Sequence, residues 1–185
     1  MSKHVIIFLA DGFEEIEALT PVDVLRRAGI QVSTVSIQET RNVTGAHQIV
    51  VKADALFTET DFDKANMVVL PGGMPGAKNL NEHEGVKNIL LRFAKENKLI
   101  GAICAAPMVP GQLGLLKNKK ATCYPGFESH LKDAEVTGQP VEVADNMVTG
   151  KGVGAALKFS LELVALLTDR NTANELAEKM GVENC

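Results

Sequence analysis

Tryptophan is absent from this chain of 185 residues, tyrosine occurs once, and cysteine occurs three times, at positions 104, 123 and 185. An odd number of widely spaced cysteines makes neither a disulfide framework nor a zinc site, and it fits a reducing cytoplasm. Positive charge is also scarce, since 19 Lys and Arg against 23 Asp and Glu leave a net charge of −4. That balance argues against nucleic acid as the main partner. The densest basic run, Lys117-Asn118-Lys119-Lys120, reads as a solvated loop. No apolar stretch reaches the roughly 18 residues of a membrane span, and no signal-peptide pattern opens the chain. Repeats, low-complexity tracts and linkers are missing as well. The chain therefore reads as one domain, 1–185, long enough for a sizeable core.

What is present alternates. Val5-Ile6-Ile7-Phe8-Leu9 is a continuous apolar run, as expected of a strand covered on both faces. Asp11-Gly12 then turns into a helix from about Glu14 to Ala28, closed by Gly29. Gln31–Ile37 reads as a second strand, Met67–Leu70 as a third ended by Pro71-Gly72-Gly73, and Leu99–Ile103 as a fourth. Between these last two, Asn81 is expected to cap a helix running to about Asn97, with Glu84 completing a capping box. Ala121–Cys123 and Val141–Thr149 read as short strands, Ala155–Leu167 as an apolar helix, and Asn174–Met180 as a final one. Only 41–64 is irregular, with an edge hairpin expected around Ile49-Val50-Val51. Strand-helix-strand order of this kind means parallel β-α-β units, hence a doubly wound, mostly parallel α/β sheet between helices.

Cys104 falls between a buried strand and the small, helix-opening stretch Ala105-Ala106-Pro107. A thiol on such a strand-to-helix elbow sits at the carboxyl edge of the sheet, near amide N–H groups and a helix N-terminus. That field favours a thiolate, so Cys104 is a candidate nucleophile or redox centre; the alternative is a buried cysteine acting as a small hydrophobe. Sites in doubly wound sheets form where loops leave the carboxyl ends of strands. Three segments converge there: 11–17, 71–76 and 104–107. Gly72 and Gly73 permit close backbone approach, and their amides with that of Ala105 offer donors for an oxyanion. Glu14, Glu15 and Glu17 all lie in the first helical turn, where acids favour the helix dipole. A carboxyl on the apolar side of that turn would be neutral and able to donate a proton, but periodicity does not separate Glu17 from Glu14. Cys123 and Cys185 are expected to differ from Cys104. Strand alternation turns Cys123 toward the core if Tyr124 faces the site, and Cys185 is expected to react as an ordinary thiol.

Gly12-Phe13-Glu14-Glu15-Ile16-Glu17, Val69-Leu70-Pro71-Gly72-Gly73 and Ala102-Ile103-Cys104-Ala105-Ala106-Pro107, with Pro21–Ile30, resemble the ThiJ/PfpI superfamily and its DJ-one branch over essentially the whole chain. The resemblance implies a flavodoxin-like sandwich, a homodimer, a reactive Cys104, a protonated Glu17 that hydrogen-bonds its sulfur, and backbone donors at Gly73 and Ala105. It implies glyoxalase or deglycase action on small 2-oxoaldehydes without cofactor or metal. The alternative is an oxidation-sensing stress protein or chaperone using the same cysteine. Tyr124 stands where the branch has a histidine, His47 where it has an arginine, and Gly152-Val153-Gly154 replaces its Gly-Pro-Gly loop after Lys151. Gly72, Tyr124 and His47 are the expected pocket residues. The proteolytic members place a histidine directly after the cysteine; Ala105 stands there, which disfavours a cysteine protease. His4 and His83 read as surface residues, and His130 is the histidine with a route to the site through the loop after Tyr124. Gly150–Ala155 satisfies a loose dinucleotide fingerprint, but no second strand with its acidic residue follows, so a nucleotide site is rejected.

Overall fold

The computed structural model describes residues 3–182; Cys185 lies outside them. In chain order the elements are β1 (His4–Leu9), α1 (Glu15–Arg27), β2 (Gln31–Ser36), β3 (Asn42–Thr44), β4 (Val50–Lys52), β5 (Ala55–Leu56) and β6 (Met67–Leu70). Then follow α2 (Gly76–Glu82), α3 (Glu84–Lys95), β7 (Leu99–Ile103), α4 (Met108–Gln112), β8 (Lys120–Ala121) and β9 (Glu135–Val136). The chain continues with β10 (Val141–Ala144), β11 (Met147–Gly150), α5 (Ala156–Leu167) and α6 (Arg170–Lys179).

Seven strands form the main sheet in the order β10-β11-β7-β6-β1-β2-β5. All neighbours are parallel except β10, which returns antiparallel along β11. The apolar runs have a direct reading. Along β1, Val5 and Ile7 pack into one core and Ile6 and Phe8 into the other, so neither face tolerates polar alternation. One layer is built on Val86, Leu90 and Phe93 of α3 with Val109 of α4. The opposite layer is built on Val24 and Leu25 of α1, Phe159, Leu163 and Val164 of α5, and Ala173 of α6. Order reverses between β6 and β1, and the loops leaving their carboxyl ends diverge there to leave a crevice.

Four local expectations are corrected. The helix expected over 81–97 is two helices, because the His83 imidazole, not Asn81, caps the second: its Nδ1 accepts the N–H of Val86 at 3.1 Å. Asn81 instead reaches Gln112 across 3.1 Å, and Glu84 pairs with Lys87 rather than closing a capping box. The strand expected over 121–123 shrinks to β8, which pairs only with β9 outside the main sheet. Residues 141–149 are a hairpin, turned at Asp145 with φ = 53°. The last helix starts four residues early, where Asp169 accepts the N–H of Thr172 at 2.9 Å.

Candidate active site

Cys104 leaves the end of β7 with φ = 65°, the left-handed region that a cysteine occupies only under strain of about 1–3 kcal/mol. Two backbone bonds hold it there. Its N–H donates to Gly150 of β11 and its carbonyl accepts from Tyr124, both at 2.8 Å. The chain then turns tightly, with Ala106 N–H to Ile103 at 3.0 Å and Met108 N–H to Ala105 at 3.1 Å. The expected strand-to-helix elbow is therefore present, with α4 beginning at Met108 rather than at Ala105. The thiol is half-buried, and the Gly73 and Ala105 amides beside it favour its ionised form.

Glu17 settles the choice among the three acids of the first turn of α1. It is fully buried, and its Oε2 accepts the N–H of Gly72 at 3.0 Å. Its Oε1 has no hydrogen-bond partner among the described residues. The Cys104 side chain lies beside the carboxyl, and the two groups shift each other's ionisation. Gly72 makes this approach possible. A Cβ at that position would fall 2.6 Å from the Cys104 Cβ and 2.6 Å from Glu17 Oε2, so no side chain fits. The loop carrying Gly72 and Gly73 is tied to the start of α1 by the Glu14 N–H, which donates to Gly72 at 3.0 Å.

The ionisation of the pair differs from the expectation of a thiolate made by the turn alone. Burial raises Glu17 to about 7; the bonds from Cys104 and Gly72 oppose that rise, and the Glu14 charge adds to it. Burial, the Glu17 charge and the Glu17 hydrogen bond push Cys104 up to about 12, against the Gly73 and Ala105 amides. The two groups titrate together. Below about 7 the pair holds two protons; above it the carboxyl has given up its proton and the thiol keeps the other. A thiolate forms here only as the partner of a neutral Glu17.

The other expected residues are placed as follows. Glu15 is buried and committed to His47, accepting its N–H at 2.8 Å and meeting its Nδ1 at 2.9 Å. His47 is exposed, and the hydrogen bond to Glu15 with the charges of Glu14 and Glu15 raises its pKa. The ligating atoms of Glu14, Glu15 and His47 lie within 4.8 Å of one another, and both Glu15 oxygens are already occupied. His47 thus sits on the helix start rather than against the sulfur. Tyr124 is half exposed, its ring over Gly152, while Cys123 is buried in the core although the strand expected to place it ends at Ala121. His130 bonds Gln112 at 2.8 Å, with its ring tilted against that of Phe127. Lys151, Pro125, Pro140 and Val153 line a pocket beside Tyr124 that sequence reasoning did not assemble. Its one signal was Lys151 between two glycines.

A carboxyl, not an imidazole, lies beside this cysteine. Fold and site together define a flavodoxin-like α/β protein built around a cysteine elbow. The profile of the DJ-1/PfpI family matches residues 3–166, and the chain belongs to that family. Protein DJ-1 homolog B of Arabidopsis thaliana is 35% identical over 96% of this chain, which spans only 41% of that relative's length. The glutathione-independent glyoxalase DJ-1 of Schizosaccharomyces pombe is 30% identical, covering 96% of this chain and 98% of that protein. Among solved structures, oxidized Toxoplasma gondii DJ-1 superposes with a TM-score of 0.94 at 32% identity, over 99% of this chain and all of the other. Among the described residues, no helix is long and apolar enough to cross a membrane.

Proposed function

We propose that the chain converts small 2-oxoaldehydes to 2-hydroxy acids with Cys104 as nucleophile and Glu17 as the group that moves the proton. The observation that carries this reading is the buried Glu17 carboxyl against the sulfur, poised near neutrality. In the one-proton state the Glu17 carboxylate takes the thiol proton as the Cys104 sulfur attacks the aldehyde carbon, and then gives that proton to the oxygen, forming a hemithioacetal. The Glu17 carboxylate then removes the hydrogen on that carbon and returns it to the neighbouring carbon. The hemithioacetal hydroxyl proton passes to the ketone oxygen, so the aldehyde carbon becomes a thioester and the ketone becomes an alcohol. Water cleaves the thioester, releasing the acid and restoring the thiol. The redox change is internal, so no external oxidant is needed. The Gly73 and Ala105 amides that face the sulfur would stabilise the oxyanions of the first and last steps. The glyoxalase name of the fission-yeast relative supports the substrate class.

Consumption of methylglyoxal with matching appearance of lactate tests this. The wild-type protein turns it over; Cys104→Ser, the weaker nucleophile of near-equal size, loses activity by roughly 10³-fold or more. Equal turnover in both would remove Cys104 from the reaction. A redox-sensing reading has support in the same geometry, because the two amides and a protonated Glu17 would also hold the oxygens of a sulfinate.

The expected homodimer has a surface to form on. Ile16 and Leu19 of α1 and Ile49 and Val50 of the neighbouring hairpin are exposed, and the Ile49 N–H joins them by reaching Glu15 at 3.4 Å. Sedimentation of wild type against Ile49→Glu tests pairing through this face: a dimer converted to monomer supports it, and an unchanged species contradicts it.

A further inference from the structure

The pocket beside the catalytic pair is larger than a three-carbon aldehyde requires. Tyr124, Pro125, Pro140, Lys151 and Val153 enclose about 550 Å³, within the range of small-molecule sites. Two contacts join it to the chemistry. The Tyr124 N–H is bonded to the Cys104 carbonyl at 2.8 Å, which fixes the aromatic wall to the elbow. Gly152 lies between pocket and pair: a Cβ there would be 3.3 Å from the Tyr124 ring and 4.0 Å from Glu17 Oε1.

The charge of the lining is one-sided. Its only ionisable groups are Lys151 and Tyr124, and no acid borders it. Lys151 Nζ spends one hydrogen bond on the Gly138 carbonyl at 3.1 Å and has no ion-pair partner among the described residues. Val153 opens the 3-10 turn that leads into α5. Apolar walls and a cation without a counter-charge are a combination suited to a short chain ending in an anion.

We propose that this pocket holds the tail of the substrate, that the natural substrate class is a 2-oxoaldehyde carrying an anionic group a few bonds from its carbonyls, and that Lys151 selects for that charge. The proposal rests on Cys104 acting as the carbonyl nucleophile. The reaction is unchanged: one water is consumed and the aldehyde and ketone become acid and alcohol.

The test compares 4,5-dioxopentanoate with 2-oxopentanal, which have the same chain length and differ in a terminal carboxylate against a methyl group. The kcat/KM ratio of the two is measured within each protein, so a general loss of folding or activity cancels. Wild type favours the anion by about tenfold or more. Lys151→Arg retains the preference, Lys151→Met abolishes it and Lys151→Glu reverses it. Turnover of 2-oxopentanal with no preference for the anion, or a preference that survives Lys151→Met, overturns the inference and leaves the Cys104 reading standing. Failure of wild type to turn over any 2-oxoaldehyde, methylglyoxal included, overturns both.

Discussion

Glu17 Oε2 and the N–H of Gly72, far apart in the chain, meet at 3.0 Å directly beside the Cys104 side chain. This bond fixes the carboxyl of α1 against the loop after β6, across the crevice where the sheet order reverses. The absence of a side chain at Gly72 is what lets it form. Gly72→Ala would force its methyl into Cys104 and Glu17, costing about 1–3 kcal/mol of stability. It is expected to lower the unfolding midpoint and to slow turnover more than the stability loss explains. A variant with wild-type activity would show that the carboxyl need not sit at this distance.

Burial of Glu17 has a measurable pH signature. Its folded pKa of about 7 lies above the ordinary value of 4.5, so the folded state binds more protons than the unfolded chain between those values. The contribution to stability is fully present below 4.5 and is lost as pH rises through about 7. Glu17→Gln removes that loss. Denaturant unfolding at pH about 5 and about 8 is expected to show the variant gaining on wild type by on the order of 2 kcal/mol at the higher pH. A constant difference across the range would mean that Glu17 is not carrying a buried charge.

The strained backbone at Cys104 is tested by replacement. Cys104→Ala keeps a β-carbon at φ = 65°, whereas Cys104→Gly relieves it. The glycine variant is expected to be more stable than the alanine variant by about 1 kcal/mol, despite losing a methyl. The reverse order in thermal unfolding would mean that the elbow stores no strain.

Reactivity separates the cysteines. Limiting iodoacetamide is expected to label Cys104, half-buried at the elbow, before Cys123, which is 4% exposed in the core. The labelling rate of Cys104 rises through about pH 7, where the pair gives up its first proton. Mild peroxide is expected to add oxygens to Cys104 rather than link it to Cys123. A dominant Cys104–Cys123 disulfide peptide contradicts this.

Much of the architecture was legible because the strands at the middle of the sheet are apolar on both faces, a pattern that Val5–Leu9 and Met67–Leu70 display without ambiguity. The elbow was legible for a related reason: an apolar strand run ends at Ile103 and the small stretch Ala105-Ala106-Pro107 follows Cys104. The identity of the acid was not. Glu14, Glu15 and Glu17 differ by where tertiary neighbours fall: His47 and Ile49 claim Glu15, and Gly72 claims Glu17. The helix break at His83 was hidden because an imidazole serves as the cap where Asn81 offered the commoner signal. The rise of the thiol pKa was equally hidden, since desolvation and a partner's charge exist only after folding. The pocket around Lys151 joins segments near 124, 140 and 152 that no local pattern relates.

The account stands on Glu17 moving the proton for Cys104, and the pH dependence of kcat/KM for methylglyoxal tests it most directly. In wild type, activity is expected to rise through about pH 7 as the pair passes from two protons to one. Glu17→Gln, which keeps the volume and a hydrogen bond, and Glu17→Ala, which keeps neither, are both expected to fall by roughly 10²-fold or more and to lose that rise. Wild-type turnover in both variants, with the same rise near neutrality, would contradict the account and leave Glu17 a buried structural acid.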